Sequence, residues 1–195
     1  MAKSVDFYFD YGSPTSYLAY TQMPGLAKRT GATVNYRPIL LGAVFQATGN
    51  RSPVEVAAKG KWMQGDLQHF AERYNVRYRW NPHFPINTLA LMRGATYAAR
   101  ENFLVPYSDT IYKAVWADGL NMGDPAVIGK VLQEAGIDAQ KVIAATQEQA
   151  VKDSLKATTQ QAIERGLFGA PTFFVGERMH FGQDRLPYVE ELLRD

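Results

Sequence analysis

Phe7-Tyr8-Phe9-Asp10-Tyr11-Gly12-Ser13-Pro14-Thr15-Ser16-Tyr17 is an apolar run that stops at a glycine and passes straight into a helical pattern. Val5 to Phe9 read as a buried strand, because aromatic and β-branched side chains suit a covered, pleated surface. Asp10, Tyr11 and Gly12 break it. Ser13 stands where an N-cap belongs, with Pro14 at the first helical position, where a missing N–H costs nothing. Tyr17, Leu18, Tyr20, Met23, Leu26 and Ala27 then form an apolar helical face that closes near Gly31. This arrangement points a hydroxyl and several free N–H groups at one spot beyond the strand's carboxyl end. The helix dipole favours an anion there by about 0.3–1 kcal/mol. Taken alone, Ser13 is a plain helix cap.

Working outward, Ala32 to Ile39 reads as a second strand, which makes the opening a βαβ unit with parallel strands and a right-handed crossover. Near the other end, Gly169-Ala170-Pro171-Thr172-Phe173-Phe174-Val175 sets a proline immediately before another apolar strand, a position suited to a cis peptide. Thr172 to Val175 and Arg178 to Phe181 flank Gly176-Glu177, a connection of hairpin length. Leu186 to Leu193 is a closing amphipathic helix, with Asp184 as a candidate cap. Between these ends strand signals vanish. Helices are predicted near Val54 to Tyr74 (opened by Pro53), Thr88 to Glu101, Tyr107 to Trp116, Pro125 to Ala135 and Ala139 to Arg165, the last broken near Asp153. The chain is thus read as an α/β domain formed by residues 1–40 and 166–195, interrupted by an all-helical insert over 41–165.

Composition narrows the chemistry. The 195 residues are 46% hydrophobic, enough for one sizeable core with a helical subdomain, and the formal net charge is only +2. That balance argues against nucleic acid or an anionic membrane as the main partner. There is no cysteine, which removes disulfide, thiolate-metal and dithiol redox chemistry. His69, His83 and His180 lack ligand spacing, so no metal is expected. No stretch approaches the ~20 apolar residues of a membrane span, and the amino terminus shows no signal-peptide pattern, so a cytoplasmic location is expected.

A strand, a Ser-Pro helix start, a long helical interior and Gly-Ala-Pro-Thr before a strand together resemble the thioredoxin superfamily. The size of the insert points to the branch holding bacterial disulfide oxidoreductases, kappa-class glutathione transferases and 2-hydroxychromene-2-carboxylate isomerases. The oxidoreductases carry Cys-x-x-Cys where this chain has Ser13-Pro14-Thr15-Ser16, and exchange chemistry without sulfur is impossible. The order and spacing of Asp6-Phe7-Tyr8-Phe9-Asp10, Ser13 to Tyr17, Leu40-Leu41-Gly42-Ala43-Val44-Phe45, Gly49-Asn50 and Phe181-Gly182-Gln183-Asp184-Arg185 look most like the isomerases, along essentially the whole chain. The resemblance implies a thioredoxin-like α/β fold with a large all-helical insertion. It also implies glutathione as cofactor, a small aromatic carboxylate substrate taken from its cyclic hemiketal to the trans-o-hydroxybenzylidenepyruvate in naphthalene-type degradation, and, by analogy, a homodimer.

Carried onto this chain, the resemblance makes Ser13 the catalytic residue that holds glutathione's sulfur. Ala170, beside Pro171, would pair with the tripeptide's backbone. Phe181, Gly182, Asp184 and Arg185 would receive its γ-glutamyl end, where an ammonium and a carboxylate need both kinds of partner. Asn50 matches a glutathione-contacting asparagine of kappa-class relatives, though a loop asparagine is commonly a turn residue. For the substrate, an apolar slot with a few cationic or amide groups is needed. Leu41 and Gly42 at the second strand's end, Lys61 on the first insert helix and Asn87 are the candidates. Trp62 and Phe45 read as core.

Other readings stay open at this stage. A kappa-class-like transferase would share the cofactor site and differ in whether glutathione leaves with the product. A non-catalytic thioredoxin-fold binding protein would have lost its cysteines and kept the fold. Arg73 to Trp80 interleaves basic and aromatic residues, which suits single-stranded nucleic acid but better fits a connector whose aromatics pack while its arginines stay wet.

Overall fold

β1 (Ser4–Phe9) and β3 (Thr172–Val175) take the middle of the sheet because their side chains are apolar enough to be covered on both faces. The computed structural model describes residues 3–194. β2 (Thr33–Pro38) and β4 (Arg178–Phe181), with more polar residues, form the edges in the order β2-β1-β3-β4. β1 and β2 run parallel, whereas β3 is antiparallel to β1 and β4 antiparallel to β3. The register sets Phe7 opposite Phe173 on β3, and the two rings stack at 5.2 Å.

Strand alternation sorts β1 between two cores. Val5, Phe7 and Phe9 face the larger one, shared with α1 (Pro14–Thr30), the insert and the closing helix α9 (Leu186–Arg194). Tyr8 faces a smaller one with Ile39, Val44, Ala162, Leu167, Ala170 and Phe174, covered by α2 (Leu41–Thr48) and α8 (Gln149–Glu164). Asp6 also lies on this second face. There Arg165 reaches it at 2.9 Å and lies over the Phe174 ring at 3.8 Å. Burial pushes the Asp6 carboxyl up, but the bonds from Arg165, Asn35 and Arg37 outweigh it and hold it below the ordinary range.

Helices fill the stretch between β2 and β3: α3 (Ala57–Arg73) after a 3-10 turn at Pro53–Glu55, then α4 (Leu89–Arg100), α5 (Leu104–Tyr112), α6 (Pro125–Glu134), α7 (Ala139–Ala145) and α8. Three details correct the sequence reading. Leu41 and Gly42 open a helix, α2, which the sequence pattern did not suggest. The break in the last insert helix falls at residues 146–148, because Asp153 lies inside α8 and accepts from Gln149 one turn away. The helix expected from Tyr107 begins at Leu104 and ends in a π-type turn at Lys113–Ala117. The Arg73–Trp80 segment is a connector: Tyr74, Val76, Tyr78 and Trp80 pack on the core, and Arg77 is exposed beside Asp118. Among the described residues no helix is long and apolar enough to cross a membrane, and no cluster of His, Asp or Glu could hold a metal.

Candidate active site

Everything at the site begins with the turn from β1 into α1. Ser13 has extended backbone, and its Oγ accepts the Ser16 N–H at 3.1 Å, as an N-cap does. The same oxygen donates to the Ala170 carbonyl at 3.0 Å and lies 2.9 Å from the Thr15 hydroxyl. Thr15 also reaches the Ala170 carbonyl, at 3.3 Å. Two hydroxyls therefore compete for one acceptor. Nothing among the described residues accepts the Ala170 N–H.

The Ala170-Pro171 peptide is cis, and the Pro171 carbonyl accepts the Gly182 N–H at 3.0 Å. This joins the Ser13 turn to the end of β4. Gly182 has φ 101°, in the region that favours glycine, and a Cβ there would strike the Asp184 carboxylate. The sequence reading makes Asp184 a candidate cap for α9, but it lies inside a 3-10 turn, Gln183–Arg185, which Gly182 precedes as its N-cap. Its carboxylate meets Arg185 at 3.3 Å, with both side chains about half exposed. Asn50 donates to the Phe168 carbonyl at 2.8 Å, and the Phe168 ring meets Phe181 at a tilt with centroids 4.7 Å apart, so these three flank the loop that carries Ala170 and Pro171.

The other side of the Ser13 turn is fixed by Asp10, which is 1% exposed. One carboxylate oxygen accepts the Gly12 N–H at 2.9 Å and the Thr88 hydroxyl at 2.7 Å. The other accepts the Leu41 N–H at 2.8 Å. Burial pushes this carboxyl above its ordinary value, and the three hydrogen bonds pull the other way. Through Asp10 the turn is held beside Leu41-Gly42 and, through Thr88, near Asn87, whose side-chain oxygen accepts the Leu89 N–H at 3.0 Å just before α4.

Lys61 is exposed on α3, and no hydrogen bond or ion pair ties it to these residues. Its neighbour Trp62 is 68% exposed and is no part of the core, because the buried stripe of α3 runs through Gly60, Leu67 and Ala71 instead. Phe45 is half-buried. Asp10, Thr15, Asp66 and Thr88 are the site residues that sequence reasoning missed. Asp66, on α3, is pushed up by burial and then by the Asp184 charge, with His69 opposing. Asp66 thus feels the Asp184 charge at the Gly182 end, where Arg185 is already paired with Asp184. The one legible signal was Asp10, a charge at the end of an apolar strand.

The arrangement can hold an extended ligand between two poles. At one, a rotatable hydroxyl at a helix start suits an anion. At the other, Asp66 and Asp184 suit an ammonium, with Arg185 beside them for a carboxylate.

The DSBA-like thioredoxin domain family matches residues 4–194. The chain is 34% identical to 2-hydroxychromene-2-carboxylate isomerase of Sphingobium xenophagum over 100% of both chains. It is 26% identical to human glutathione S-transferase kappa 1 over 99% of this chain and 92% of that one. A solved structure of 2-hydroxychromene-2-carboxylate isomerase superposes with TM-score 0.87 at 31% identity, covering 96% of this chain and 93% of its own. Full-length similarity of this order shows an enzyme of the isomerase type. With pattern, fold and similarity in agreement, the chain belongs to the DSBA-like thioredoxin domain family, in the branch of the 2-hydroxychromene-2-carboxylate isomerases.

Proposed function

We propose that the enzyme converts 2-hydroxychromene-2-carboxylate to trans-o-hydroxybenzylidenepyruvate, with glutathione as a returned cofactor whose sulfur is held by Ser13. The observation that carries this reading is the pair of hydroxyls, Ser13 and Thr15, both within reach of the Ala170 carbonyl in a chain without cysteine. Ser13 can turn its hydrogen toward an incoming thiolate while Thr15 takes over the carbonyl, so no buried acceptor is orphaned. A charge-assisted bond of about 1.5–3 kcal/mol would lower the pKa of a bound thiol by roughly one to two units. Much of it would then be ionised near neutral pH.

The rest of the groove fits the same tripeptide. The Ala170 N–H is open to a backbone carbonyl, and Asp66 and Asp184, the latter shared with Arg185, offer carboxylates to a γ-glutamyl ammonium. When bound, glutathione would supply a thiolate for reversible addition to the cis double bond that becomes conjugated to a ketone once the hemiketal ring C–O bond opens to a phenol; the double bond is then a rotatable single bond, and it re-forms in the trans sense as the carbon–sulfur bond breaks. Ser13 holds the charge before addition and receives it again on departure. Leu41, Gly42 and Asn87 form the wall against which the aromatic carboxylate would lie, with the free amide of Asn87 as its polar contact.

The deciding experiment is a mass balance on the hemiketal with added glutathione. Isomerised product with all thiol returned is expected. Thiol consumed in step with product would instead favour a transferase, the reading that kinship to the kappa class keeps in view. Replacing Asp184 with Asn should weaken calorimetric glutathione affinity about fivefold, the worth of one partly exposed ion pair. Equal affinity in that variant would remove Asp184 from the ligand site.

A further inference from the structure

We propose that Asp10 is a positioning residue that sets the distance between the sulfur-holding turn and the substrate wall. The proposal rests on the isomerase reading above and assigns a role to a carboxylate that touches neither substrate nor cofactor. A buried charge of this kind is costly unless every lone pair is used. Here the donors come from three segments far apart in sequence: Gly12 in the turn, Leu41 at the start of α2 and Thr88 just before α4. The Ser13 N–H is also tied to the Asp10 carbonyl, at 3.0 Å.

Only an ionised carboxylate accepts all of these bonds without presenting a donor of its own. An amide of the same shape would turn its NH2 against one of them. A plain helix cap would need a single bond, and a plain strand end none. The three segments that Asp10 gathers are the ones that carry Ser13, Leu41-Gly42 and Asn87. Misplacement of a reacting pair by about 1 Å can cost a hundredfold in rate, so an anchor common to both sides of the site acts on turnover more than on cofactor binding.

Thr88→Val tests this by removing one hydroxyl at nearly constant shape, leaving Ser13, Ala170 and Asp184 untouched. The expected result is a five- to tenfold lower kcat for isomerisation, glutathione affinity within twofold of the parent, and recovery of kcat to within twofold in Thr88→Ser. Should Thr88→Val fail to fold, Gly12→Ala is the second probe. Its Cβ would sit 3.2 Å from the Thr88 methyl and 3.4 Å from the Asp10 carboxylate, spreading the same contact, and a several-fold loss of kcat is expected. Unchanged kcat in the variants overturns the proposal. So does a Thr88→Ser enzyme as slow as Thr88→Val, which would assign the effect to the methyl packed on Gly12. A parent protein that isomerised nothing would sink the function reading alone. In that case the affinity of the glutathione-loaded protein for trans-o-hydroxycinnamate decides, with a fivefold weakening in Thr88→Val expected and equal affinity refuting the role.

Discussion

Ser13→Ala lowers kcat for the isomerisation by about ten- to a hundredfold, the worth of a lost charge-assisted hydrogen bond of about 1.5–3 kcal/mol. The same change removes an N-cap, since Ser13 accepts the Ser16 N–H, and costs about 1 kcal/mol of stability. The two effects can be separated. Glycine at an N-cap falls only a few tenths of a kcal/mol short of serine, so Ser13→Gly should regain most of the melting temperature while its turnover stays as low as that of the alanine variant. A second readout follows the sulfur itself. The ultraviolet absorption of bound thiolate, titrated against pH, should move its midpoint up by about one to two units in both variants. Full turnover in Ser13→Gly would mean that position 13 is only a cap, and the thiolate role would be withdrawn.

Features written into a few neighbouring residues were legible in the sequence. Ser13-Pro14 opens α1 and Gly31, with φ 69°, closes it, because caps and left-handed turns are local chemistry. The Gly176-Glu177 hairpin between β3 and β4 is local for the same reason. What escaped depends on distant partners. α2 carries no side-chain cap of its own, and its Leu41 N–H is satisfied by Asp10, thirty-one residues earlier. No window around residue 41 contains that information. Asp66 likewise acquires meaning only when the Gly182 turn brings Asp184 beside it. Ser13 itself was readable as a cap, whereas its second bond, to Ala170, spans 157 positions of chain. Trp62 failed in the opposite direction, since aromatic character suggested burial and helix phase placed it outside.

The largest effect on stability is expected at Trp116, which is fully buried at the end of the π-type turn after α5. Its ring is packed by Trp80, Phe84 and Tyr78, with centroids 6.3, 5.8 and 6.3 Å away, and its backbone carbonyl accepts the Arg79 N–H at 2.7 Å. The indole N–H donates to the Tyr11 carbonyl at 2.8 Å, one residue before Gly12. Thus one side chain joins the Arg73–Trp80 connector, the insert and the turn that carries Ser13. Trp116→Ala should cost about 3–5 kcal/mol through lost packing and the cavity left behind. That is a large part of the 5–15 kcal/mol that holds an ordinary domain together, and for a chain of this length it lowers Tm by roughly 10–15 °C. Trp116→Phe keeps most of the packing and loses the bond to Tyr11, so a smaller cost of about 1–3 kcal/mol is expected, mainly from the unpaired buried carbonyl. The contrast between the variants divides the residue's work. If the phenylalanine variant keeps its stability but turns over more slowly, the indole N–H acts on the site through Tyr11. If both variants unfold at the parent's denaturant midpoint, the insert and the α/β part do not depend on this ring. Contacts elsewhere would then tie the two parts together.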